Sequence, residues 1–180
     1  MNYNKIYSFN ISDGPMIGVS LYTQGCPFHC KGCFNPDTWS FEGGRPFTDQ
    51  TIQEIQEMLK PDYIQRLSIL GGEPLTKEKY TQLYLLLRQS RDTKKDSNKF
   101  VVWMWTGRKF EDIVEESEAN YILRGILKNI DYIVDGQFEI DKRDITLPFC
   151  GSSNQRIISV KESLASHQTV LAPYDYRKEE

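Results

Sequence analysis

At 180 residues the chain is long enough for one domain with a sizeable core and one active site. Its 22 Lys and Arg against 25 Asp and Glu leave a net charge of -3, which argues against a nucleic-acid partner. No run reaches the roughly 18 apolar residues of a membrane span, and Met1-Asn2-Tyr3-Asn4-Lys5 lacks the apolar core of a secretory signal, so a cytoplasmic protein with no membrane partner is expected.

Apolar runs alternate with helix-period segments, the pattern of β/α units around a largely parallel sheet. Residues 18–23 predict a strand that delivers Cys26 to its C-terminal end. Thr48 reads as the cap of a helix whose apolar face is Ile52, Ile55 and Leu59 and which Pro61 stops. A strand at 67–70 follows, then a helix capped by Thr76 and carrying Tyr80, Leu83, Tyr84 and Leu87. The charged stretch 91–99 reads as a surface loop and 100–105 as a buried strand. A helix near 110–118, a strand at 130–134 and a last strand at 156–160 complete the pattern. Residues 1–162 are expected to form the domain and 163–180 a polar, loosely held tail. Cys26, Gly71, Thr106 and Gly136 each follow a strand end, where α/β sheets place ligands, so four loops should share one rim. Five or six mostly parallel strands are too few for a closed barrel, and the expected α/β fold is an incomplete, laterally open (β/α) barrel.

The chemistry concentrates in Cys26-Pro-Phe-His-Cys30-Lys-Gly-Cys33, a C-x3-C-x2-C spacing. Three thiolates on a short loop can hold three irons of a cuboidal cluster and leave the fourth open to a small molecule, whereas four ligands are usual when a cluster only carries electrons. Three crowded cysteines and a distant Cys150 make a poor disulfide framework, and a reducing compartment suits the metal reading. Structural zinc competes, but it wants four ligands, and here only the remote Cys150 and a poorly placed His29 are left to supply one. A redox pair formed by Cys30 and Cys33 is weaker still. Gly71-Gly72-Glu73-Pro74 can be a plain strand-to-helix turn; it can also let a ligand approach the backbone, with Glu73 paired to an ammonium group. Phe28 and Phe34 flank the cysteines, Trp103 and Trp105 read as sheet core, and His29 and His167 read as solvated or locally bonded.

These two motifs resemble the radical S-adenosylmethionine superfamily. The resemblance implies a [4Fe-4S] cluster on Cys26, Cys30 and Cys33, with S-adenosyl-L-methionine chelating the open iron. It also implies cofactor contacts at Gly32, Cys33, Phe34, Gly71, Gly72, Glu73 and Thr106: Glu73 on the amino group, Phe34 beside the adenine, and Thr106 toward the ribose or methionine group. No side chain is then a catalytic acid or base.

Asn10-Ile11-Ser12-Asp13-Gly14-Pro15, the segment from Cys30 to Trp39, Trp105-Thr106-Gly107, Val134-Asp135-Gly136-Gln137-Phe138 and Gly151-Ser152-Ser153-Asn154-Gln155-Arg156 are similar, in order, to one branch of that superfamily, the activating proteins of anaerobic ribonucleoside-triphosphate reductases. That branch implies an activase whose reduced cluster cleaves the cofactor to methionine and a 5′-deoxyadenosyl radical, which takes hydrogen from a backbone glycine of the large reductase subunit. A reduced donor such as flavodoxin would supply the electron. Two departures matter: Met16-Ile17-Gly18 stands where many relatives have Gly-x-Arg, and Cys150 replaces a usual basic residue. An activase of another glycyl-radical enzyme such as pyruvate formate-lyase, a small-molecule radical enzyme, and a non-catalytic metal-binding partner module are the alternative readings.

Overall fold

The computed structural model describes residues 1–95 and 97–174. Its strands are β1 (Asn2–Asn10), β2 (Gly18–Thr23), β3 (Arg45–Pro46), β4 (Arg66–Gly71), β5 (Val101–Trp105), β6 (Tyr132–Asp135) and β7 (Arg156–Ser159). They form one seven-stranded sheet in the order β3-β1-β2-β4-β5-β6-β7. The centre, β2-β4-β5-β6, is parallel, with Val19 opposite Leu67, Leu67 opposite Val102 and Met104 opposite Ile133. Both flanks are antiparallel, β1 against β2 and β7 against β6.

The helices are α1 (Asp49–Leu59), α2 (Tyr80–Thr93), α3 (Phe110–Ala119), α4 (Tyr121–Lys128) and α5 (Val160–Ser166). Alternation along each strand divides the sheet into two unlike faces. Val19, Leu21, Leu67, Ile69, Val102, Met104, Ile133 and Ile158 share one buried cluster with Ile52 and Ile55 of α1, Leu83 and Leu87 of α2, Ile113 of α3 and Leu123 of α4. The opposite residues, Trp103, Val134 and Ile157, gather Trp105, Tyr132, Phe149 and Tyr174 in a second cluster. Helices therefore cover one face, while loops and the site occupy the other.

The expected α/β alternation holds and the sheet does not close, but it is wider than five or six strands. The addition comes mainly from β1, whose Asn, Lys and Ser residues interleave with tyrosines and whose residues are partly buried or exposed, so it carries no apolar run. The Thr48 cap is present, reciprocated by Thr51 in a capping box. Thr76 makes no cap bond; its hydroxyl donates to Glu78 (2.6 Å), and a 3₁₀ turn, Lys77–Lys79, precedes α2. Of the charged stretch 91–99 expected as a loop, 91–93 instead continue α2 to Thr93, while 94–95 and 97–99 are turn and loop as expected. Arg91 turns inward to the carbonyls of Asn129 and Phe100 and to the Asp131 carboxylate, which explains charge in a helical segment. The strand expected at 130–134 starts later, because the Ile130 N–H still donates to Leu127 in the turn that ends α4, and the Asp131 N–H to Val102 leads into β6.

The polar stretch expected as a tail from Ser163 begins inside α5. Beyond it the Ser159 N–H donates to Val170 (2.9 Å), the Ala172 N–H to Ile157 (2.8 Å), and the Tyr174 ring lies 5.4 Å from that of Trp103. The remainder, 175–180, lies outside the described residues. Among the described residues no helix is long and apolar enough to cross a membrane.

Arg66 at the start of β4 is fully buried, and its guanidinium donates to the carbonyls of Asn10, Gly14, Pro15 and Met16. A cation from a neighbouring strand thus organises the loop in which Met16-Ile17-Gly18 lacks its own arginine.

Ile69, fully buried at the centre of the parallel block, sets a measure of the core. Ile69→Ala is expected to lower the unfolding free energy by about 2–5 kcal/mol in urea titrations. Tyr121→Ala, at a side chain 80% exposed, should stay within about 0.5 kcal/mol of the parent.

Candidate functional site

A cavity of about 420 Å³, within the range of about 300–1,000 Å³ usual for ligand pockets, opens at the C-terminal ends of the parallel strands. Cys26, Cys30 and Cys33 line it together with Gly71, Gly72, Glu73, Thr106 and Phe34. The four expected rim loops are all present, since Gly136 lines it too. Gly32 is the one expected contact that does not; it turns toward Ile140, where an added Cβ would lie 2.8 Å from the side chain.

The cysteine loop is fastened at both ends by backbone. Leaving β2, the Gly25 N–H donates to Thr38 (2.8 Å) and the Cys26 N–H to Trp39 (3.0 Å). The Cys33 N–H closes a turn onto Cys30 (3.1 Å), and the Asn35 N–H donates to the Cys33 sulfur (3.3 Å). The His29 ring is stacked on Trp39 with centroids 4.8 Å apart, a local packing role as expected. Burial pushes the Cys26 and Cys30 thiols up, so neither is a ready thiolate in the free protein. Coordination to a metal would supply the charge that deprotonates them.

The two glycines have a reason the sequence did not disclose. The Gly72 N–H donates to Thr23 (2.9 Å) and the Glu73 N–H to Gly25 (3.0 Å), so the two motif loops lie backbone against backbone. A Cβ on Gly72 would stand 2.5 Å from the Gly25 oxygen, and one on Gly71, at φ +99°, 2.9 Å from the Thr23 oxygen. No side chain fits between the loops, whatever ligand they hold.

Glu73 is 1% exposed. Its Oε1 accepts from the Leu75 N–H and the Thr106 hydroxyl, both at 2.8 Å, and its Oε2 from the Gly107 N–H at 2.8 Å. Burial raises its pKa while these donors pull it back. The carboxylate thus joins the β4 and β5 loops before it can meet any ligand, and Thr106 is engaged as its donor. One acceptor direction remains on Oε2 for an incoming donor.

Phe34, 58% exposed, stands at the lip with its ring 5.2 Å from Phe138 and the Arg143 guanidinium 5.6 Å from its centroid. Trp103 is core as expected, whereas Trp105 also lines the cavity and donates from Nε1 to Phe149 (2.8 Å). Reading along the sequence also missed Phe28, packed over Gly107, and Cys150, which the 149–151 segment brings to the wall. Lys79 was missed as well; its ammonium donates to the carbonyls of Gly25 and Glu73. Phe28 lies within the cysteine motif but meets Gly107 only in the fold, and Cys150 and Lys79 enter through tertiary contact alone.

The donor set fits a cuboidal cluster. Among the described residues no three His, Cys, Asp or Glu side chains converge as they would around a single ion. A cubane does not require that, because each thiolate takes a different iron.

The family model described as 4Fe-4S single cluster domain matches residues 12–158. The chain is 35% identical over 169 residues to the anaerobic ribonucleoside-triphosphate reductase-activating protein of Enterobacteria phage T4, covering 93% of this chain and 99% of that one. Proteins of the same name from Pasteurella multocida (strain Pm70) and Escherichia coli (strain K12) are 34% and 32% identical, over 87% and 86% of this chain and 96% of theirs.

Anaerobic reconstitution is expected to load about four irons, a content that Cys30→Ser loses and Cys150→Ser keeps. Iron and sulfide analysis with the visible spectrum decides; loss on Cys150→Ser with retention on Cys30→Ser would reverse the ligand assignment. Glu73→Ala leaves the Leu75 and Gly107 N–H groups without their acceptor. It should destabilise the apoprotein by about 1–3 kcal/mol or more in thermal or urea unfolding, and unchanged stability would remove the loop-joining role.

Proposed function

This chain belongs to the family of anaerobic ribonucleoside-triphosphate reductase-activating proteins, and on that footing we propose that it is a radical S-adenosylmethionine activase that places a glycyl radical on its cognate reductase. The observation that carries the reading is the meeting of Cys26, Cys30 and Cys33 with Gly71-Gly72-Glu73 on one open cavity, in a chain whose match to the 4Fe-4S single cluster domain family spans both motifs.

Cys26, Cys30 and Cys33 would hold three irons of a [4Fe-4S] cluster and leave the fourth free for S-adenosyl-L-methionine. Together the two groups supply reductive cleavage of a sulfonium bond and, from it, a carbon radical able to take a hydrogen atom. The chain's own residues bind, orient and exclude water. Glu73 keeps an acceptor direction for the cofactor ammonium, in a position set by Thr106 and Gly107. Phe34 is suited to lie beside an adenine at the lip, and Leu70, Trp105 and Phe149 make an apolar wall that limits water. No general base is called for.

We read the unclosed sheet as an incomplete barrel whose lateral opening admits a polypeptide loop, which a closed small-molecule pocket could not. The substrate glycine would be presented by docking, so yield depends on the geometry of the complex. A reduced carrier such as flavodoxin in the cytoplasm would provide the electron.

Mixing the reduced, reconstituted protein with cofactor and the cognate reductase should produce a glycyl doublet in electron paramagnetic resonance. None should arise without the reductase, nor with a reductase whose radical-bearing glycine is alanine, although that variant still binds. A reductase that binds and never acquires the doublet while the cofactor is cleaved would defeat the activase reading and favour a small-molecule substrate.

A further inference from the structure

The cysteine loop and the glycine-glutamate loop meet around one buried ammonium. Lys79 ends the 3₁₀ turn before α2 and is 1% exposed. Its Nζ donates to the Gly25 carbonyl (2.7 Å) and to the Glu73 carbonyl. The Gly25 carbonyl also accepts the Glu73 N–H (3.0 Å), so the ammonium completes a three-way junction one residue ahead of Cys26. The Phe41 ring lies over it, 5.5 Å from Nζ to centroid.

A neutral donor could satisfy the same two carbonyls, and burying a cation without an ion-pair partner is costly. Among the described residues no carboxylate oxygen lies within ion-pair distance of Nζ. The groups whose charge acts on it are Glu73, Glu78 and Cys26, and the Met1 ammonium is a like-charged neighbour. Burial lowers its pKa to about 8, which leaves it protonated at neutral pH. Three coordinating thiolates beside the buried Glu73 would make this corner strongly negative, and each electron added makes it more so. Net charge and hydrogen bonding around the sulfurs are what set the potential of such clusters.

We propose that Lys79 is a positioning residue for the iron-sulfur loop, holding the Gly25 and Glu73 carbonyls together and standing as a fixed positive charge behind Cys26 that eases reduction of the cluster. The proposal rests on the cluster reading above, and its two parts separate by experiment. Lys79→Met removes charge and both hydrogen bonds; Lys79→Arg keeps the charge, but its planar fork cannot place one nitrogen between both carbonyls.

Both variants and the parent are reconstituted anaerobically, and two quantities are measured at neutral pH: midpoint potential by voltammetry and iron loss to a chelator. Lys79→Met should shift the potential negative by on the order of tenfold in the reduction equilibrium, 59 mV for a one-electron couple, and shed iron several-fold faster. Lys79→Arg should hold the parent potential and still shed iron faster. A Lys79→Met protein that matches the parent in both quantities overturns the proposal. If that variant does not fold, Lys79→Arg decides, and iron loss at the parent rate overturns the positioning role. A parent that takes up no iron overturns the cluster reading and this inference together, whereas a loaded parent with indifferent variants overturns this inference alone.

Discussion

The Gly25 carbonyl is the point on which the site depends. It receives the Glu73 N–H and the Lys79 ammonium, and it does so where no side chain can intervene. This contact welds the loop after β2 to the loop after β4. The register of those two strands, with Thr23 opposite Gly71, delivers both loop starts to the same height. Once they are joined, the Glu73 carboxylate extends the weld to the loop after β5 through Thr106 and Gly107. Three strand ends become one rigid rim, which is what a cluster needs if its ligands are to hold position while charge changes.

The asymmetry of the sheet decides what the rim can do. Helices α1 to α5 all contribute to a largely aliphatic cluster on one face, and that face carries much of the core. The other face is aromatic around Trp103 and is covered by the 149–151 segment and the chain through Tyr174. Antiparallel strands at both flanks stop the parallel block from propagating toward closure. The result is a floor of strand ends under an open cavity.

Electrostatics at the rim follow from burial more than from net charge. Glu73, Cys26 and Cys30 are all pushed toward their neutral forms by desolvation, and Lys79 is pushed the same way. Each of these groups is costly to bury in its charged form, so the charge at this corner is set by what the groups meet there and not by the protein's overall charge.

Local pattern was enough to mark this chain as an iron-sulfur protein. Three thiols at C-x3-C-x2-C, a Gly-Gly-Glu after an apolar run and the alternation of strand and helix are all short-range signals, and they are legible because ligand spacing and side-chain periodicity are properties of neighbouring residues. What only the tertiary structure decided is how those signals are tied together. Cys150 and Trp105 reach the cavity through packing, Lys79 ties together the carbonyls of two loops that form its rim, Glu73 proves to be a joint between loops, and β1 pairs as a strand with no apolar run of its own. Gly71 and Gly72 belong to both accounts. A sequence shows that they lack side chains, but the reason no side chain is tolerated is a carbonyl from a loop far away in the chain, and that distance is closed only by folding.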